Sequence, residues 1–510
     1  GHSLLALEAI RKIENESGKR LAINEIVTDT LASLAEKISH SSLDKEQQHG
    51  PSALSRAAAR GLSPEQQRLL NRQLEYPESV CNNLPAAWVL EGQLNVPLFK
   101  KSLVRVCERQ TALRTIFQIQ EGGYQQSLKH VKEIDLPEFE DCSNTDEPMN
   151  HALEKAHQMA NQPFVPLNAL LFRCKLFHLA NDKYLFVIVP HQLIFDGWSF
   201  DIFLGELEAN YRAFTAGRLP VATLPAFEFR DYAQWYNSRA INRDQFDYHL
   251  RAWEDIPQAG FIKSLAPKGG CQRRVYRFSE NQLVQIVGFC EKNKLRLHEF
   301  LITIFAQTLA NYIRTSSVGI GLPVTGRYSP DVIGLIGSFV STLPCEIKIQ
   351  GTCFVDIAEN VGKQLRGFYN HQDVSYPEVI RGSSLERQFF PTRIPASFSF
   401  QDIRNRPTSL ADLQLSQVDM PRQQTELPIE FWVRIQSNGL LVAFDYDDVQ
   451  VEAGFIEGLG QKIANLLEKP EITTAELDTI YQRQETQPAP KKPLWRRLFQ
   501  QDPFNRMTSN

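Results

Sequence analysis

Apolar positions along the chain keep two rhythms. KYLFVIVP (183–190) is an unbroken run of β-formers, and AAWVLEG (86–92), TIFQIQ (115–120) and LLFRCKLFHL (170–179) are further strand-like runs. Elsewhere the spacing is helical. VPLFKKSLVRVCERQ (96–110) predicts one helix, and 199–216 another, with Phe200, Phe203, Leu204, Leu207, Tyr211 and Phe214 as its stripe and Gly217 as its stop. The N-terminal 3–40 read as short helices. In SLLALEAIRKI, Leu4, Leu5, Leu7, Ile10 and Ile13 share a face; SGKR breaks the pattern, and TLASLAEKI adds a last amphipathic turn or two.

These rhythms divide the chain. Residues 1–40 are too few for a core of their own. Residues 41–55 (SSLDKEQQHGPSALS) are polar and read as a linker. Strands and helices mix over 56–225 and again over 226–480, predicting two αβ halves that could face each other across a cleft. Beyond Tyr481, QRQETQPAPKKP opens a Pro- and charge-rich tail, 481–510.

Composition narrows the function classes. The chain has 510 residues, 42% hydrophobic and 22% charged, with net charge −4, which gives no electrostatic case for nucleic acid or an acidic membrane. No apolar run approaches the ~18 residues of a membrane span. Eight scattered cysteines without a CxxC pair suit reduced, buried thiols and a cytoplasmic setting. Eleven histidines form neither HxxxH nor HExxH, so no metal site is expected.

The chemistry concentrates in VPHQLIFDGWS (189–199). A strand ends at His191, a short loop carries Asp196 and Gly197, and a helix follows. A strand delivers a polar group to a cleft there, and the glycine lets another chain approach. Motifs in order then carry a resemblance. HQLIFDGWS is similar to H-H-x-x-x-D-G-x-S; LSPEQQRLL (62–70) to S-x-A-Q-x-R; RQTALRTIF (109–117) to R-H-E-x-L-R-T-x-F; FRDYAQW (229–235) to Y-x-D-Y-A-x-W; IGSFVSTLP (336–344) to I-G-x-F-V-N-T-L; HQDVSYPEVI (371–380) to H-Q-D-x-P-F-E; and GHSLLALEAI (1–10) to the G-G-x-S-L of a carrier. Together they resemble a nonribosomal peptide synthetase fragment: the end of a carrier domain followed by a condensation domain.

The resemblance implies an α/β fold of two chloramphenicol-acetyltransferase-like halves around a central channel, preceded by an incomplete carrier whose first helix should come before Gly1. It implies 4'-phosphopantetheine on Ser3, where a helix N-terminus favours the phosphodiester charge. Upstream and downstream carriers and a phosphopantetheinyl transferase are the implied partners. The implied reaction is amide formation between a carrier-bound acyl thioester and a carrier-bound amine. His191 matches the first, mainly structural histidine, and Gln192 the second, which touches the amine. Asp196 would be a buried structural acid paired with an arginine, for which Arg114 is the candidate; Gly197 completes the motif. His371, Trp198, Tyr232 and Trp235 read as structural.

The family pattern breaks at Gln192. An amide accepts a hydrogen bond from an amine but cannot act as a base. Gln110, in place of another motif histidine, adds to the suspicion of drift. A noncatalytic domain that docks carriers or recruits an enzyme is therefore the alternative. An epimerase relative fits IGSFVSTLP less well, and a free acyltransferase would need a histidine where Gln192 stands.

Overall fold

The computed structural model describes 31–40 and most of 61–470. Outside the description lie 41–60, 471–510, 1–30 apart from four isolated positions, and the short stretches 121–122, 135, 221–223, 226, 257–269, 328, 382–393 and 405. Ser3, the 41–55 linker and the tail from 481 fall outside it.

The first part of the chain runs α1 (Leu31–His40), α2 (Pro64–Glu75), β1 (Ala86–Glu91), α3 (Val96–Arg109), β2 (Thr115–Gln120), β3 (Gly123–Leu128), β4 (Glu138–Asp141), α4 (Pro148–Ala160), β5 (Phe172–Ala180), β6 (Lys183–Pro190), α5 (Ser199–Thr215), α6 (Phe229–Ser238) and α7 (Arg243–Asp255). The remainder runs β7 (Cys271–Ser279), α8 (Glu280–Lys292), α9 (Leu297–Ile313), β8 (Ser317–Val324), β9 (Ser341–Lys348), α10 (Phe354–Asn370) and α11 (Tyr376–Arg381). It ends with β10 (Ala396–Asp402), β11 (Ser409–Leu410), β12 (Leu413–Val418), β13 (Ile429–Gln436), β14 (Gly439–Asp447) and α12 (Ala453–Glu468). The strands and helices expected from periodicity at 86–92, 96–110, 115–120, 170–190 and 199–216 are present.

Two six-stranded sheets carry the two halves, in orders β11-β12-β1-β6-β5-β4 and β7-β14-β13-β10-β8-β9. The unbroken apolar run of β6 follows from its place between β1 and β5, where 185–190 are buried. In the second half α9 is buried at every position from 299 to 310, so its apolar residues surround the axis instead of forming a stripe.

The cores do not divide at 225/226 as the sequence suggested. Phe229, Tyr232, Ala233 and Tyr236 of α6 belong to the first core, and so do Val332, Leu335, Ile336 and Phe339 from the loop between β8 and β9. The chain crosses once more when β12 pairs antiparallel with β1, Ala87 opposite Val418 through Glu91 opposite Gln414. The reason is physical: β1 has an open edge in its own half, and the amphipathic LQLSQV segment fills it with Leu413 and Leu415 turned into the core. Ion pairs add to the seam. Arg68 and Arg72 of α2 reach Glu426 at 2.7 and 3.2 Å, and Arg406 reaches Asp201 at 2.9 Å.

Two glycines in the 326–339 crossing admit no side chain. Gly326 has φ of +64°, and a Cβ there would lie 2.0 Å from the Phe339 carbonyl oxygen. A Cβ on Gly337 would fall 2.1 Å from the Phe229 ring.

Candidate active site

The loop of interest begins where β6 ends. His191 forms a single antiparallel bridge with Asn83, and the Gln192 amide donates to the Asn82 carbonyl at 2.8 Å. Helix α2 braces the loop from one side. Ser63 caps it in a capping box with Gln66, and Pro64 occupies its first turn. From this helix the Gln66 side-chain amide donates to the Leu193 carbonyl at 3.1 Å.

His191 is sealed. The Leu193 N–H donates to its Nδ1 at 3.1 Å, so Nε2 carries the proton and donates to Gln73 Oε1 at 3.2 Å. With both nitrogens engaged and no solvent exposure, it holds the loop's shape. Burial, with a smaller contribution from Arg173, pulls its pKa down to about 3. The unfolded chain binds the proton near pH 6.5 and the folded chain does not. Stability present above pH 6.5 is therefore lost as pH falls towards 3, by up to about 1.4 kcal/mol per unit. Urea midpoints at pH 7 and pH 5 should show this, and His191→Gln should fall less steeply between them than the parent.

Asp196 is buried and paired, but not with Arg114. Its carboxylate accepts from Arg327 Nη2 at 3.2 Å on both oxygens, from the Ser199 amide at 2.8 Å, from Ser199 Oγ at 2.7 Å and from the Phe339 amide at 3.3 Å. Arg327 is fully buried. It also donates to the Val332 and Leu335 carbonyls at 2.8 and 2.7 Å and lies 3.9 Å from the Phe339 ring centre. Burial lowers its pKa and Asp196 opposes the shift. Arg114 instead ends a 3₁₀ turn and donates to the Lys129 carbonyl at 3.2 Å, bracing the β2–β3 hairpin. Asp196 points the other way, across the seam. Its partner lies 131 residues on in the chain, and TGR after the β8 run was the only local signal.

Gln110 is a structural residue with a task of its own. It is buried, donates to Glu206 Oε1 at 2.6 Å and the Gly334 carbonyl at 3.0 Å, and accepts from the Ile336 amide at 2.9 Å. It thus ties α3 to α5 and to the crossing loop. His371 is also structural: its Nδ1 pairs with the Gly367 carbonyl at 2.6 Å and its ring stacks on Tyr248 at 4.1 Å. Tyr232 donates to the Gly326 carbonyl at 2.9 Å from within the core. Trp198 is half-buried and packs with Ile333 against Leu34 and Ile38 of α1.

What remains at the loop for chemistry is Gln192 and Gly197. Gln192 is half-buried, and its side-chain amide makes no hydrogen bond among the described residues. Gly197 is exposed, and a Cβ there would meet nothing within 4 Å. Asn82, whose carbonyl takes the Gln192 N–H, is buried with both side-chain polar atoms unpartnered among the described residues. The eight cysteines are unpaired thiols, six of them buried. Glu140, Cys142 and His151 bring three ligand-type atoms within 4.8 Å of one another, with Lys175 Nζ already 2.6 Å from Glu140. No helix among the described residues is long and apolar enough to cross a membrane.

Two αβ lobes stitched by strand exchange, with a strand-end loop pinned between them by a buried Asp–Arg pair, define a class of two-lobed αβ domain. The chain belongs to the condensation-domain family, whose model matches residues 59–487. It is 26% identical over 501 residues to one of the linear gramicidin synthase proteins of Brevibacillus parabrevis, covering 92% of this chain and 6% of that protein. Against surfactin synthase subunit 1 of Bacillus subtilis (strain 168) it is 24% identical over 491 residues, covering 92% and 13%. The chain therefore spans a small part of the curated relatives it matches. Among solved structures, the X-domain from teicoplanin biosynthesis superposes with TM-score 0.71 at 19% identity, covering 84% of this chain and 98% of that one. The first condensation domain of the calcium-dependent antibiotic synthetase, in complex with a substrate analogue, gives 0.71 at 17% identity, covering 82% and 98%. At such identities these structures speak for the fold.

Proposed function

We propose that this domain forms an amide between a donor acyl thioester and an acceptor amine, each delivered on a carrier's phosphopantetheine arm, and that Gln192 orients the amine without taking its proton. The amine nitrogen bonds to the thioester carbonyl carbon, the C–S bond breaks and the sulfur leaves as a thiolate; the proton the amine gives up to solvent is balanced by the one the thiolate takes from it to become the arm's free thiol. The observation that carries this reading is the loop itself. Each group that shapes it (His191, Asp196, Arg327, Gln66) is hydrogen-bonded within the fold, while the Gln192 amide is left without a partner among the described residues and can accept an N–H. Proximity of two tethered reactants can supply about 7–11 kcal/mol, and a neutral amine is already a good nucleophile towards a thioester.

A second reading is favoured by the same glutamine: a domain that docks carriers or recruits a partner enzyme and makes no bond. One structural neighbour, an X-domain, is seen in complex with OxyB. Matched carriers loaded with donor and acceptor separate the two. Product on the acceptor carrier supports condensation; carrier binding without product supports docking.

Ser3 is the proposed attachment point for a phosphopantetheine arm. In a chain extended upstream of Gly1 by a carrier helix, coenzyme A and a phosphopantetheinyl transferase should add one arm, read by intact mass. Ser3→Ala should abolish the addition, and an arm retained in that variant contradicts the assignment.

A further inference from the structure

Away from the loop, three metal-ligating side chains converge at the edge of the first sheet, where β4 lies outermost beside β5. Glu140 is in β4 and Cys142 just past its end; two residues apart on extended chain, they share a face. The Cys142 backbone is fixed there, its N–H donating to the His178 carbonyl at 2.9 Å. His151 comes from the opening turn of α4. The pattern is E-x-C-x8-H, split between a strand and the next helix, so the lack of HxxxH and HExxH says nothing against it.

The spacings choose between two explanations. Glu140 Oε1 is 3.3 Å from His151 Nε2 and 3.9 Å from Cys142 Sγ, and all three atoms lie within 4.8 Å of one another. As a hydrogen bond the first contact is slack, since N–H···O bonds run ~2.7–3.2 Å. As edges of a tetrahedron around a metal the contacts fit better. Bonds of ~2.0 Å from nitrogen and oxygen and ~2.3 Å from sulfur set oxygen ~3.3 Å from nitrogen and ~3.5 Å from sulfur. The first edge matches, and the second needs a few tenths of an ångström.

The surroundings suit an ion. Lys175 Nζ holds the other carboxylate oxygen, Glu140 Oε2, at 2.6 Å and so aims Oε1 at the cluster. That bond keeps the Glu140 carboxyl below its ordinary range, ionised and able to ligate. Cys142 is 1% exposed, whereas Glu140 and His151 are half-buried, so the sulfur lies inside and the other two ligands border solvent. Burial, then the charges of Glu140 and Asp141, raises the thiol's pKa. A divalent ion reverses that: it balances one thiolate and one carboxylate, and the thiol proton goes to solvent. Lys175 and Lys155, whose charges both act on Glu140, oppose the ion and should hold its affinity below that of an all-cysteine site.

We infer that Glu140 Oε1, Cys142 Sγ and His151 Nε2 form a binding site for a divalent transition-metal ion, zinc above all, with water as the fourth ligand. One sulfur, one nitrogen and one oxygen suit such an ion, whereas magnesium and calcium take oxygen throughout. The ion clips the edge strand β4 to α4. Nothing in this inference depends on the condensation reading.

The test is a cobalt(II) titration of the reduced full chain, followed by absorbance. Thiolate coordination gives a sulfur-to-cobalt charge-transfer band in the near ultraviolet, and tetrahedral geometry gives strong visible bands. The parent should show both, saturating at a single equivalent, and zinc should displace the cobalt. Cys142→Ser should abolish the near-ultraviolet band. His151→Ala, at a half-buried position whose loss the fold should tolerate, should weaken binding by at least about 100-fold, the upper range for loss of a mere outer partner. A double variant, Cys271→Ser with Cys353→Ser, removes the two thiols that are not buried and should bind cobalt as the parent does. The site is overturned by no charge-transfer band in the parent, by a band that survives in Cys142→Ser, or by parent-like affinity in His151→Ala. A band lost from the double variant overturns it as well.

Discussion

Gln192→His should increase amide formation between cognate loaded carriers about 10- to 1,000-fold. The range is that of general-base catalysis, reduced for imperfect placement. Imidazole and the glutamine side chain are close in volume, so the change should fit without repacking. Gln192 makes no side-chain hydrogen bond among the described residues, so its replacement breaks none there. The loop beneath it keeps its supports, since His191, Asp196 and Arg327 are untouched. Product is read by mass on the acceptor carrier, with loading and binding of both carriers verified. No gain under those conditions would move the reading to a docking domain.

The second large effect is on stability. Asp196→Ala removes the carboxylate and leaves Arg327, fully buried, without its counter-charge. Breaking one side of a buried pair costs about 3–5 kcal/mol. The Ser199 and Phe339 amides lose an acceptor at the same time. The urea midpoint should fall accordingly, and the protein should become less soluble. Combining Asp196→Leu with Arg327→Met should cost less than the two changes taken separately, because neither charge is then stranded. Arg114→Met lies outside this network and should add independently. A parent-like midpoint for Asp196→Ala would show that the pair does not hold the seam.

Local structure was readable in the sequence wherever one element decides its own fate. The KYLFVIVP run, the stripe from Phe200 to Phe214 and the helix at 96–110 need only periodicity. The 191–197 loop was likewise visible as a motif. What could not be read were contacts between distant segments. Gln73 reaches His191 across 118 residues and Arg327 reaches Asp196 across 131, and neither partner has a composition that marks it. Arg114 was chosen for its place in the LRT segment, and membership of a motif misled. LQLSQV alternates as a strand should, but nothing in it says that it completes the opposite sheet. Gln110 shows the converse error. A residue off the family pattern suggested decay, and the structure finds it making three hydrogen bonds, one to α5 and two to the crossing loop.

The most direct test of the central claim, that Gln192 positions the amine and no enzyme group removes its proton, is the pH dependence of single-turnover amide formation. With glutamine in place, the rate should rise with pH along one ionisation, that of the acceptor amine, whose model value is about 7.7–8.0. Gln192→His should add a second ionisation near 6.5, the model value of histidine. A second ionisation already present in the parent would reveal a base elsewhere, and absence of product at every pH would contradict condensation itself.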